Sequence, residues 1–282
     1  MRNVLLSLAL VLVGTNLALA QIPSLSELTK TIEKIKKTSD DSARVAKGAA
    51  GLSLQEEIDI GDAVAIAIVV RYGGIWRDEP ATVRVNMIGR VLAQFATRQD
   101  LNWRFGLLNS DAINAFSAPG GRVFITRGLY ELLLSDDELA GVLAHEIIHI
   151  DQRHAIDIIA RGEFLGGASS LAADNSDRFA AYESIVGETE SLILDKGFDA
   201  GVEYEADESG RDLSAVTGFE PGGLRAVLIQ IDDSNEESSE VFSTHPSTKK
   251  RLKRLPDDPL PPKPEEPQTT SQIATVSVTT AP

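Results

Sequence analysis

His145, Glu146 and His149 sit in the run HEIIH. Two histidines four residues apart on a helix project from the same face, so both can hold one metal ion. Glu146 is turned about 100° around that helix from His145. From there its carboxylate can reach a water polarised by the metal and take its proton, the chemistry of a zinc hydrolase. The remaining histidines of the chain are His154 and His245. On an uninterrupted helix His154 falls on roughly the opposite side from His145, which makes it a structural residue or a support for a ligand and not itself a ligand.

The element that carries the motif must be a helix, and a buried one. Ser135 and Glu138 have the spacing of a capping box. Leu139, Val142, Leu143, Ile147, Ile148, Ile150 and Ile156 follow with no proline between them. At 100° per residue these occupy nearly every side, so the helix is expected to run on through Ile156 and to lie inside the protein. Two histidines and a glutamate in such a helix need partners, because a buried polar group without one costs about 2 kcal/mol or more. A metal supplies that partner most simply.

A catalytic zinc ordinarily takes three protein ligands, so one more must come from elsewhere. Glu203, Glu205 and Asp207 form an acidic cluster on a stretch with helical spacing, Tyr204 to Val216. Glu203 and Asp207 are four apart and share a face, whereas Glu205 is turned about 200° from Glu203. Glu203 is the expected third ligand, and Asp207 the acid that orients a ligand histidine through its free ring N–H. Taken alone, the same acids read more readily as a solvated helix face.

Other elements can be read around these. Helical patterns cover Leu54 to Val70 and Pro80 to Thr97, the second with a stripe of Val83, Met87, Val91, Leu92 and Phe95. Trp103 to Leu108 and Gly121 to Thr126 read as strands, the latter after a Pro119-Gly120-Gly121 turn. Gly128 to Leu134 begins a short helix, Gly162 to Ala173 is a glycine-rich loop expected to be mobile, and Arg178 to Asp195 is helical again.

The two ends differ from this middle. Met1 to Ala20 has the charged start, the apolar run Val4 to Val13 and the Ala18-Leu19-Ala20 site of a secretory signal peptide cleaved after Ala20. Residues 21–53 form an N-terminal helical segment with Leu25, Leu28, Ile32 and Ile35 at helical spacing, and residues 54–255 the main domain. Residues 256–282, rich in proline, are expected to be a disordered tail. The chain has no cysteine, so an exported protein of this sequence relies on packing without disulfides. A net charge of −15 argues against nucleic acid as a partner.

Several stretches together resemble the gluzincin zinc metallopeptidases of family 48, in its soluble periplasmic branch. They are Asn114 to Gly121 (NAFSAPGG), Val123 to Leu129 (VFITRGL), Leu139 to His149 (LAGVLAHEIIH) with Arg153-His154, the ExEAD run Glu203 to Asp207, and Thr244-His245-Pro246-Ser247 with Arg251. They fall in order over roughly Leu54 to Leu255. The resemblance implies an α+β, mainly helical domain with a small β-sheet and a central HExxH helix. It implies one Zn2+ per chain, held by His145, His149 and Glu203, with Glu146 catalytic. His245 would lie beside the zinc, either as a further ligand blocking the resting site or as a donor to the oxyanion. Gly121, Arg122, Val123, Phe124 and Ile125 would form an edge strand that pairs with substrate backbone. The expected activity is zinc-dependent endopeptidase action in the periplasm on unfolded or misassembled envelope proteins, with peripheral membrane or outer-membrane assembly contacts possible. Rival readings are an envelope assembly or chaperone-like protein whose zinc site is latent, and a purely structural zinc site.

Overall fold

The computed structural model describes residues 52–161, 175–233 and 244–262. The stretch Met1 to Ala20 expected to be a signal peptide, nearly all of the 21–53 segment and the glycine-rich stretch from Gly162 to Ala173 lie outside the described residues. Helix α1 (Leu54–Arg71) leads through α2 (Glu79–Ala93) to strands β1 (Arg104–Leu108), β2 (Ala115–Ala118) and β3 (Arg122–Thr126). Then come α3 (Arg127–Leu132), α4 (Asp136–Asp151), α5 (His154–Arg161), α6 (Asn175–Ser191) with a π-helical turn (Leu192–Lys196), α7 (Ala200–Val216), α8 (Gly223–Asp233) and α9 (Thr248–Leu252). The fold is α+β and mainly helical. None of the described helices is long and apolar enough to cross a membrane.

Helix α4 is the axis of the domain. Ser135 caps it, its Oγ accepting from the Glu138 N–H at 3.1 Å. The Glu138 carboxylate does not close the box on Ser135. It accepts instead from the Leu134 N–H at 2.6 Å and from the Gln230 side chain of α8 at 2.9 Å, tying the helix start to a neighbour. Every residue from Glu138 to Asp151 is buried. Leu139, Leu143 and Ile147 join Ile88 and Leu92 of α2, Leu213 of α7, Val227 and Leu228 of α8, and Val123 and Ile125 of β3 in one core. A second core, with Ile60, Val64 and Ile68 of α1, packs Phe116 of β2 against Ile193 and Leu194 of the π-helical turn.

Three expectations are corrected by this architecture. The HEIIH helix does not run through Ile156: α4 ends at Asp151, and Arg153 takes a left-handed conformation (φ 59) before α5 begins. The cause is non-local. Asp151 accepts from the Thr97 and Arg98 backbone N–H groups, and the buried Glu57 of α1 pairs with both Arg98 (2.8 Å) and Arg153 (3.1 Å).

The second correction concerns Gly121 to Ile125. Strand order is β1-β3-β2, with β3 parallel to β1 and antiparallel to β2, so β3 is the central strand. Both its edges are consumed, and it cannot add a substrate strand. The hairpin that turns through Gly120 and Gly121, both at positive φ, places β2 outside it. Ala115–Ala118 forms no second strand pairing among the described residues, while the outer side of β1 is partly covered by a bridge from Ile75 to Leu108.

The third is the α2 stripe. Val83, Met87, Val91 and Phe95 face outward, Met87 being 64% exposed, and only Leu92 of that set is in the core. The buried face is Ala81, Val85, Ile88 and Leu92, seated where Gly89 lets the Phe105 ring lie against the helix. At the other end, the fold passes the boundary expected after Leu255. Asp257 and Asp258 pair with Arg225 and Arg211, each at 2.9 Å, and Pro261 is buried.

Candidate metal centre and active site

The site is built where α4 and α7 approach most closely. Gly210 makes that approach possible: a Cβ there would stand 2.9 Å from the His145 backbone nitrogen. Two turns earlier on α7, Glu203 consequently faces His145 and His149. Their Nε2 atoms are 3.1 Å apart, close to the separation of about 3.3 Å expected for two ligands of one tetrahedral zinc. The Glu203 carboxylate oxygens lie 3.6 Å from His145 Nε2 and 3.5 Å from His149 Nε2. His245, on the segment leading into α9, brings its Nδ1 to 2.6 Å from Glu203. One donor atom from each of these four residues falls within 4.8 Å of the others.

The donor set suits a metal on its own chemistry. Three imidazoles and a carboxylate converge, and all but His245 are fully enclosed. Glu146 Oε1 is buried with no hydrogen-bond partner among the described residues. A carboxylate oxygen left so in the interior is costly unless another species binds it.

Behind the donors lies a layer of supporting groups. Asp207 Oδ1 is 3.0 Å from His145 Nδ1, so the ring nitrogen turned away from the site has a carboxylate to bond. Arg251 of α9, 1% exposed, donates to the same carboxylate, with Nε to Oδ2 at 3.0 Å. His149 meets His154 at its back and the Phe198 ring on its face, stacked at 4.4 Å between centroids. Phe198 follows Gly197, where a Cβ would collide with the Thr244 carbonyl, so the turn after the π-helical segment is pressed against the segment that carries His245.

Charge is distributed unevenly here. Burial pushes the Glu203 carboxyl up, but the facing His245 and the hydrogen bonds from His145 and His245 outweigh it and hold the group well below the usual range. Burial likewise opposes ionisation of Asp207, yet Arg251 and His145 bring it down to about 2. His145 is depressed by burial and by Arg251, then lifted past both by Asp207 and Glu203 to about 9. His149 goes the other way: burial and the neighbouring His145, His154 and His245 outweigh the pull of Glu203. These shifts favour the protonated form of His145, whose Nδ1 lies 3.0 Å from the Asp207 carboxylate.

His145, Glu146, His149, Glu203, Asp207 and His245 are thus brought together, whereas Gly121 to Ile125 lie in the middle of the sheet. Ser117 and Pro119, at the end of β2, border a small hollow with His149 and Phe198. Phe198 and Glu57 carry no mark in the sequence that would single them out. Arg251 does, by its position six residues after His245, but its burial against Asp207 appears only in three dimensions.

The sequence pattern of Peptidase family M48 matches residues 80–258, more than half of the chain and every residue of this cluster. The chain belongs to peptidase family M48. Similar family members include the mitochondrial metalloendopeptidase OMA1 of Schizosaccharomyces pombe, 29% identical over 62% of this chain and 52% of that protein. The beta-barrel assembly-enhancing protease of Escherichia coli is 28% identical over 71% of this chain and 43% of its own length. A protease HtpX homolog of Pyrococcus abyssi is 31% identical over 50% of this chain and 62% of its own. The chain spans about half the length of the first two of these M48 relatives.

Proposed function

We propose that this M48 protein is a zinc-dependent endopeptidase of the bacterial cell envelope, held in the periplasm and acting on unfolded or misassembled proteins. The observation that carries the proposal is the convergence of His145 Nε2, His149 Nε2 and the Glu203 carboxylate beside the unpartnered Oε1 of Glu146. The envelope setting rests on the signal-peptide pattern of Met1 to Ala20 and on similarity to proteases named for assembly of β-barrels.

In this reading His145, His149 and Glu203 would hold the zinc, which would supply Lewis acidity to a water and to the scissile carbonyl. Glu146 accepts the proton of that water and returns it to the leaving amine. Asp207 fixes the His145 ring by accepting from its Nδ1–H. Substrate backbone adds to β2 rather than to β3, since Ser117 is on the outer strand and adjoins His149. Glu146→Gln is expected to retain zinc while lowering cleavage of an unfolded protein about 10²- to 10⁴-fold. A Gln variant as fast as wild type would refute the assignment.

His245 supports a second reading. Its Nδ1 reaches Glu203, and a fourth protein donor fills the position that a reacting carbonyl needs, which makes a resting site latent. His245→Ala separates the two. A gain in proteolysis marks His245 as a latch, and a loss marks it as a donor to the oxyanion.

A further inference from the structure

The two histidines of HEIIH are supported from behind in different ways. His145 has the carboxylate of Asp207, itself held by Arg251. His149 has another imidazole: its Nδ1 lies 2.9 Å from the Nδ1 of His154. A continuous helix would not produce this contact, because a residue five positions on is turned about 140° away. The left-handed Arg153, fixed by Glu57, folds the chain so that His154 opens α5 pointing back at α4. His154 is buried, and Phe198 lies face-on to His149 and edge-on to His154, walling the pair from one side.

Two facing ring nitrogens hydrogen-bond only if one carries a proton and the other a lone pair. The Nε2 of His149 is the atom directed at the donor cluster, 3.1 Å from His145 Nε2 and 3.5 Å from Glu203. When that lone pair is given to a metal, the single proton of the neutral ring must sit on Nδ1. His154 Nδ1 is then the acceptor, and the proton of His154 is on Nε2, on the side where Glu205 lies at 4.0 Å.

We propose that His154 is a positioning residue for the metal site: a neutral imidazole, protonated on Nε2, whose Nδ1 accepts from His149 and fixes that ligand's tautomer and orientation. The proposal rests on the zinc-peptidase reading of the site. It gives the two ligand histidines unequal partners, an anionic carboxylate for His145 and a neutral ring for His149. A carboxylate raises the basicity of the imidazole it accepts from more than a neutral acceptor does, so His149 is the weaker donor of the pair.

The test uses the full chain loaded with zinc. Long-range proton–nitrogen correlation of the 4 histidine rings, assigned with His154→Asn, reads each tautomer directly. The expected result is His154 protonated on Nε2 alone at neutral pH. A proton on its Nδ1, or an imidazolium, would overturn the role while leaving zinc binding intact. Chelator competition gives a second readout. His154→Asn keeps an oxygen acceptor near the Nδ1 position and should stay within about threefold of wild type. His154→Phe fills the space without accepting and should weaken zinc about 10- to 100-fold. Equal zinc affinity in wild type and the Phe variant would show that His154 only packs. Wild-type protein that takes up no zinc would refute the metal reading itself, and this role with it.

Discussion

The metal cluster draws on two regions of different construction. His145, His149 and Glu203 stand on α4 and α7, long helices whose facing sides are buried and whose backbones nearly touch at Gly210. His245 and Arg251 come from the stretch around α9, five residues long, held by polar contacts: Thr248 to Asp232, His245 to Glu203 and Arg251 to Asp207. The helical frame fixes positions by close packing, which tolerates no displacement. The α9 stretch fixes them through hydrogen bonds and ion pairs, which can be exchanged for others. Three of the four clustered donors thus stand on the first, and the fourth, His245, rides on the second.

Breaking the polar contact gives the largest expected effect. Arg251→Met leaves the Asp207 carboxylate buried without its guanidinium, and loss of one member of a buried pair costs about 3 to 5 kcal/mol. Denaturant unfolding of the metal-free protein measures it; a loss below about 1 kcal/mol would mean that His145 alone compensates Asp207. Breaking the close packing comes next. Gly210→Ala forces the α4 and α7 backbones apart and should cost about 1 to 3 kcal/mol, with zinc affinity falling because Glu203 moves from the histidines. Unchanged affinity there would show that the frame yields without disturbing its ligands.

The smallest effect sharpens the comparison by asking where the proton goes. His145, raised to about 9 by Asp207 and Glu203, is protonated in the metal-free protein at neutral pH. Zinc must displace that proton, so affinity should rise about tenfold per pH unit up to about 9 and level off above it. Asp207, at about 2, stays ionised throughout and contributes nothing to this slope. Calorimetry in two buffers of different ionisation enthalpy should find about one proton released near pH 7.5. No release would mean that His145 is neutral before the metal arrives.

How much of this could be read from the residues depended on how local each cause was. HEIIH needed only helical spacing, and Glu203 with Asp207 only a shared face four residues apart. The position of His154 is not legible in the sequence because nothing near Arg153 signals a break: no glycine or proline is there, and the residue that holds the turn is Glu57, on another helix. The centrality of β3 was hidden for a similar reason. Ala115–Ala118 is too short and too small in its side chains to announce a strand, and the parallel pairing with β1 is set by register across the sheet. On α2 two apolar faces compete, and the face that the core takes is the one carrying Gly89, against which the Phe105 ring lies.

Glu57 carries a consequence for where the working unit begins. Helix α1 lies wholly before residue 80, where the family match starts. Yet Glu57 grips Arg98 and Arg153 at once, and Gly61 of the same helix lies against Pro119 at the end of β2. A chain trimmed to residues 80–258 would keep every donor of the cluster and lose the brace that bends α4 into α5. The stretch that matches the family is therefore shorter than the smallest piece expected to hold the site in shape, and α1 is part of that site's foundation.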